Sequence, residues 1–417
     1  MARRSALGEP HPLRFDPLSP EQLENPYGIY EQLRDEAPVF YAEPFDLWVI
    51  SRYEDVLAAA RDHETFSSRH AVRSSMATPP PEVEAVLAEG YPQLGTLTDS
   101  DEPYHRRLRG LVNQAFTPKR VAMLEPRLDQ LAEELIAGFA SDGEAELIDR
   151  FAWPYPLAGI ADMLGLNRAD LEDLHLWSYH WLKLIQATDP VEDQVAYAES
   201  FVALQRLVMR ELEARQEQPT EDLMSALLEA RLEGERPLSL EEALWVPLNL
   251  IIAGHVTVTR AIGNSLLLLF QNPRLRETLE ADLEQRMPAA VEEFLRLESP
   301  AQGLFRTTTR QVEVDGVTLP AGARVMLHYG SANRDPRRYE DPDEADLERA
   351  GVRKHLAFGT GIHVCIGAPL ARLELRIALT KLLRRLPGPR LAGEPERDTI
   401  FFARGLSRLP VAWEPDG

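Results

Sequence analysis

Between Ser239 and Asn272 the chain carries a run that reads as one long helix, and this run limits the fold more than any other feature. Ser239 with Glu242 three residues on fits a capping box, and Leu244, Leu248, Ile251 and Ile252 supply an apolar stripe before Asn272 and Pro273 end it. At 1.5 Å per residue the helix would be about 50 Å long, enough to cross a whole domain. Pro247 is expected to kink it or to mark its true start.

The remaining pattern is mostly helix with small sheets, an α+β class. From Tyr104 to Leu283 apolar residues recur at three and four spacing, with breaks at Pro118, Pro154, Pro190, Pro219 and Pro237. Strand-like runs appear at Leu47 to Ile50, continued by Ser51, Arg52 and Tyr53, and from Val312 to His328, where Asp315 and Gly316 sit as a hairpin turn would. A last helix is expected from Ala368 to Leu386, with Pro369 in its first turn and Pro387 and Gly388 ending it. His70 to Thr98 reads as loop with a short helix near Glu82 to Ala88, and a loop of that length is usually functional. No internal repeat of fixed period emerges.

Length and charge narrow the function. The 417 residues allow two or three domains or one large one. Lys and Arg number 45 against 67 Asp and Glu, so the net charge of −22 argues against nucleic-acid and membrane-surface binding. The apolar stretches Trp245 to Ala253 and Leu266 to Phe270 fall short of the roughly 20 residues of a spanning helix. The start, Met1 to Pro10, lacks the apolar stretch of a secretion signal, so a cytoplasmic protein is expected.

The single cysteine, Cys365, excludes an internal disulfide framework and any multi-cysteine zinc or iron–sulfur site within one chain. It lies in Phe358 Gly359 Thr360 Gly361 Ile362 His363 Val364 Cys365 Ile366 Gly367. Gly359, Gly361 and Gly367 permit tight turns and close approach of a flat ligand. The helix that follows presents N–H groups and a dipole that favour a thiolate. A lone thiolate suits haem iron, which takes one sulfur ligand from the protein, better than zinc.

At these residues the chain resembles the cytochrome P-450 family, whose haem-thiolate signature is Phe, Gly, any, Gly, any, His or Arg, any, Cys, any, Gly. Every fixed position is met, and the resemblance extends over nearly the whole chain in the order of a bacterial, soluble member. It implies one domain over 1–417 with a flexible segment at 1–20, the long helix crossing a haem b, Cys365 as the axial iron ligand and Phe358 beside it.

Further residues take roles through the same resemblance. Glu293 and Arg296 share a helix face; with Arg349 they match a buried structural network leading into the Cys365 loop. His105 and Arg109, four apart on one helix face, together with Arg306 and His363, match contacts to the haem propionates. In the long helix, Ala253 Gly254 His255 Val256 Thr257 Val258 Thr259 matches Ala, Gly, any, Glu or Asp, Thr, Thr or Ser. Gly254 is expected to let the backbone open near the iron, and the Thr257 hydroxyl to bond a carbonyl one turn back or bound oxygen. Val256 stands where the family has an acid, and Val258 where it has a second hydroxyl, so proton delivery must use water, His255, the substrate or Thr259.

The resemblance also places a substrate pocket among 70–98, 180–202, 249–257, 300–305 and 401–406. Ala253, Leu304, Phe305, Phe401 and Phe402 would line it for an apolar, partly aromatic substrate. Arg73, Ser74 and Ser75 offer a carboxylate contact, although a solvated loop explains them better. Arg106, Arg107, Lys119, Arg120, Arg353, Lys354 and Arg372 are expected to form a cationic face for an acidic ferredoxin fed by its reductase, or for a similar flavin-linked donor. The implied function is a monomeric monooxygenase that inserts one atom of O2 into a hydrophobic small molecule. Two alternatives stand beside it: an atypical member doing oxidative coupling, dehydrogenation or peroxide-driven oxidation, and a non-catalytic haem sensor.

Overall fold

The computed structural model describes residues 14–69, 71–72 and 79–414. Its axis is the helix Leu240–Gln271, 32 residues long. The Ser239 side chain accepts from the Glu242 amide and the Glu242 carboxylate accepts from the Ser239 amide, so both halves of the capping box form. Pro247 lies inside the helix, which continues through it.

Joined into one helix, the apolar stretches become long and apolar enough to cross a membrane by composition, with a mean hydropathy of 1.3. The most apolar window is 78% buried in protein, because the helices Pro154–Leu164, Leu171–Gln186, Val191–Glu217, Leu283–Leu297 and Ala368–Arg385 surround it. The proline breaks mark real boundaries. Pro118 and Pro154 open helices at the first position, where the missing N–H costs nothing, and Pro190 caps the next.

A five-stranded sheet flanks the helices, in the order Val39–Ala42, Leu47–Ile50, Arg324–Leu327, Leu304–Thr308, Phe66–Ser67. Its neighbours are antiparallel except Leu47–Ile50 with Arg324–Leu327. The strand-like run ends at Ile50: Tyr53 opens the helix Tyr53–Arg61, with its amide held by the Asp335 carboxylate at 2.9 Å. Strands Val312–Val314 and Val317–Leu319 pair across Asp315 and Gly316, whose φ angles of 48° and 76° are those of a tight hairpin turn. The expected short helix near 82–88 forms as Pro81–Leu87. Of the segment 1–20, residues 1–13 lie outside the described residues, and Phe15 is buried edge-on against Phe40, Phe45 and His328.

Candidate active site

Cys365 sits at the end of a loop that the backbone closes on itself. Its amide donates to the Phe358 carbonyl at 2.9 Å, and Gly359 and Gly361 take φ of 64° and 69°, which a side chain would resist. At Gly361 an added Cβ would also come within 3.0 Å of the Ala60 carbonyl oxygen, so two constraints demand glycine there. Cys365 has accessible surface yet is set deep among protein atoms, and this burial pushes its thiol up. The amides of Gly367 and Ala368, with the charges of Arg109 and Arg372, oppose the rise. The helix start favours the thiolate as its position implies, but burial outweighs it.

Two carboxylates on the helix Leu283–Leu297 support this loop from opposite sides. Glu293 takes both forks of Arg296 at 2.8 Å, and Arg349 donates to it at 2.9 Å. Arg296 donates onward to the Asn333 carbonyl at 3.0 Å, while the Asn333 side chain accepts from the Leu356 amide at 2.6 Å. The network thus runs through Asn333 into the stretch before Phe358. Glu292 faces the other way. It accepts from Arg372 at 2.6 and 3.0 Å and from His355 at 3.0 Å. His355 accepts the Ala357 amide on Nδ1, which puts its proton on Nε2 toward Glu292. Burial raises the Glu292 pKa, but hydrogen bonds from His355 and Arg372 win and hold it at about 2.

Sequence reading missed Glu292, His355 and Asn333. The adjacent acids Glu292 and Glu293 were the available signal, since neighbours on a helix point about 100° apart and so reach different partners.

His105, Arg109, Arg306 and His363 come together, and none of them forms an ion pair among the described residues, although Asp101 and Glu102 lie near enough to act on the histidines. The His105 and His363 rings lie 4.2 Å apart. Among the described residues, neither nitrogen of His105 nor Nε2 of His363 has a partner, although His105 is fully buried. Burial, then Arg306 and His105, push His363 down to about 3; burial and Arg109 lower His105. Arg306 is buried on its strand with its guanidinium on the Phe305 carbonyl at 2.6 Å. Two cations and two donor-capable rings with open valences fit a dianionic ligand beside the Cys365 sulfur, and the glycine-lined loop leaves room for a flat one. The residues present therefore fit haem.

The central helix lines a cavity of about 170 Å³ with Asn249, Ile252, Ala253, Val256, Thr257 and Arg260. Trp181, Phe201, Trp245, Leu304, Phe305 and Phe402 complete a mainly apolar wall. Trp245 and Arg260 lie outside the segments that sequence marked for the pocket; their three- and four-residue spacing to Asn249 and Thr257 was the signal. The Thr257 hydroxyl donates to the Ala253 carbonyl at 2.8 Å.

Several expectations fail here for packing reasons. Gly254 does not open the helix: an added Cβ would strike Ile160 Cδ1 at 2.8 Å, so glycine serves close packing of two helices. His255 is absent from the cavity wall. It is buried off that face, bonded through Nδ1 to the Ile251 carbonyl at 2.6 Å and set edge-on to His175, and burial pushes it down to about 3. Thr259 is likewise turned inward, onto the His255 carbonyl at 2.9 Å. Phe401 stacks on Phe45 at 5.7 Å in a separate core cluster and does not line the cavity. Arg107 is spent on the buried Glu242 at 2.9 Å and Arg372 on Glu292, so neither is a free surface cation. Arg120 donates to the Asp222 carbonyl at 3.2 Å, while Arg106, Lys119, Arg353 and Lys354 remain exposed. Arg73, Ser74 and Ser75 lie outside the described residues.

Comparison with known proteins bears on this geometry. A family model described as Cytochrome P-450 matches residues 194–387. Cytochrome P-450 107B1 of Saccharopolyspora erythraea is 37% identical over 96% of this chain and 98% of its own length. The mycinamicin IV hydroxylase/epoxidase of Micromonospora griseorubida is 36% identical over 93% and 95%. The solved structure of cytochrome P-450 CYP109Q5 from Chondromyces apiculatus aligns with a TM-score of 0.86 and 36% identity, over 96% of this chain and 98% of that one.

Proposed function

Because this chain belongs to the cytochrome P-450 family of monooxygenases, we propose that it works as a single domain that binds haem b through Cys365 and inserts one oxygen atom from O2 into an apolar small molecule. The observation that carries this reading is the pairing of one sulfur at a helix start with converging imidazole and guanidinium groups whose ring nitrogens have no hydrogen-bond partner among the described residues. Bound haem would supply the activation of dioxygen and the transfer of one oxygen atom to carbon.

The chain's own residues do the rest. Cys365 would hold the iron, and His105, Arg109, Arg306 and His363 would hold the propionates, with Arg contributing its bidentate fork. Trp181, Phe201, Trp245 and Phe402 bind an apolar substrate and exclude water. The Thr257 hydroxyl, anchored on Ala253, keeps its oxygen free to accept a proton donor at the cavity wall. With Val256 beside it and both His255 and Thr259 turned away, protons reach Thr257 Oγ1 through water within the cavity. Glu292 and Glu293 act through the loop as positioning groups.

We read the electron donor as an acidic ferredoxin with its reductase, now docking on the exposed Arg353, Lys354, Arg106 and Lys119. The place of work is the cytoplasm.

Val256 favours a second reading, a member that runs on hydrogen peroxide or performs coupling or dehydrogenation. The test compares product from O2 plus reductant with product from peroxide. Haem loading is judged first by the thiolate-type spectrum of the reduced carbon monoxide complex; Cys365→His should abolish that spectrum, and its survival would remove the ligand assignment.

A further inference from the structure

Arg260 is the one cationic side chain on the cavity wall among the described residues. It follows Thr257 by three positions, about 4.5 Å along the helix, so it stands one turn from the hydroxyl. The side chain is 5% exposed, and its stem fills the space over Gly405, where an added Cβ would come within 2.2 Å of Arg260 Cγ.

Its charge is already balanced while its donors are not used up. Nη2 is bound to the Asp398 carboxylate. Nη1 reaches the Val256 carbonyl at only 3.5 Å, and Nε has no partner among the described residues. Several other polar groups on this wall are already bonded: Asn249 donates its Nδ2 to the Trp245 carbonyl at 2.6 Å, Thr257 donates its hydroxyl to the Ala253 carbonyl at 2.8 Å, and Asp99 accepts from the Thr96 amide and hydroxyl at 2.7 and 2.6 Å. A buried guanidinium with spare N–H groups therefore stands on the wall as a charged donor for an incoming molecule.

Three ligand chemistries respond differently to such a pair. A carboxylate or phosphate brings a second negative charge to a guanidinium that Asp398 already neutralises. A bare hydrocarbon strips water from the donors and returns nothing. A neutral oxygen accepts from Arg260 without unbalancing the pair, and an alcohol can also donate to Asp398.

We propose that Arg260, held by Asp398, is a specificity residue that selects apolar substrates carrying a neutral acceptor oxygen such as a ketone, lactone or alcohol. This rests on the cavity being the substrate site of a haem monooxygenase, and it names the substrate class of that site.

The test is isothermal titration calorimetry of the holoprotein with three probes on one ring: cyclododecanone, cyclododecane and cyclododecanecarboxylate. The native protein should bind the ketone about tenfold or more tighter than the hydrocarbon and tighter than the carboxylate. In the double variant Arg260→Met with Asp398→Leu, the ketone's advantage should shrink to about threefold or less. Asp398→Asn, which leaves Arg260 in place but unbalanced, should raise carboxylate affinity about tenfold and keeps the test open should the double variant not fold. An unchanged ketone advantage in the folded double variant, a native preference for the carboxylate, no carboxylate gain in Asp398→Asn, or no measurable ketone binding would each overturn the proposal. Heat of binding does not depend on the thiolate spectrum. A missing spectrum with the ketone preference intact would be a failure of the haem reading, on which this proposal rests, whereas a normal spectrum without the ketone preference would be a failure of this proposal alone.

Discussion

Arg372 grips the buried carboxylate of Glu292 with hydrogen bonds of 2.6 and 3.0 Å while its guanidinium carbon lies 4.5 Å above the Phe358 ring. One side chain so joins the helix Leu283–Leu297 to the wall of the Cys365 loop. Charge at position 372 serves the loop's shape before it serves any partner.

Arg372→Ala should therefore lower unfolding free energy by about 1.5–3 kcal/mol, the cost of removing a charged partner from a buried carboxylate that keeps His355. Urea unfolding measures it, with haem content followed in parallel. Native stability combined with slower, strongly salt-dependent reduction would instead restore Arg372 to the docking face.

Gly254→Ala places a methyl group within 2.8 Å of Ile160 Cδ1. It should cost about 1–3 kcal/mol through overpacking. Adding Ile160→Val removes the struck carbon, so the double variant should be more stable than Gly254→Ala alone. Additive losses in the thermodynamic cycle would show that glycine serves something other than this contact.

Acid sensitivity should arise partly from buried neutral histidines. His328, packed against Tyr30 and Phe15 and accepting the Ser331 amide, is pushed down to about 3 by burial, as is His255. A depressed histidine contributes stability that is complete above its unfolded value of about 6.5 and is lost as pH falls toward its folded one. Each should cost about 1.4 kcal/mol per pH unit between roughly pH 6.5 and 5. His328→Asn keeps an acceptor for Ser331 and should reduce the slope by one proton. An unaltered slope would mean that His328 is already charged in the fold.

Val256→Glu puts a carboxylate on the cavity wall beside Thr257. It should raise the fraction of electrons recovered in product and leave haem content unchanged, measured as product formed per reductant consumed. Equal coupling in both proteins would argue that water alone suffices at Thr257.

The parts of this molecule that were legible in the chain are those written locally. The capping box of Ser239 and Glu242, the hairpin turn at Asp315 and Gly316, the proline helix starts and the glycine spacing around Cys365 each depend on residues within a few positions of one another. The resemblance carried His105, Arg109, Arg306 and His363 to their positions, but not the mutual contact of the His105 and His363 rings or their unmet valences.

Caps, turns and periodicity act through neighbouring backbone, so the helix-rich class, the long central helix and the cysteine loop follow from the order of residues alone. Where side chains face and which charges are spent is set by long-range packing. Glu292 finds His355 and Arg372 across 63 and 80 residues, and Arg107 finds Glu242 across 135. Within the central helix a single step turns a side chain by about 100°, which is the difference between Val256 on the cavity wall and His255 in the core. Spacing places both on one helix; packing against Ile160 and His175 chooses which of them reaches the cavity.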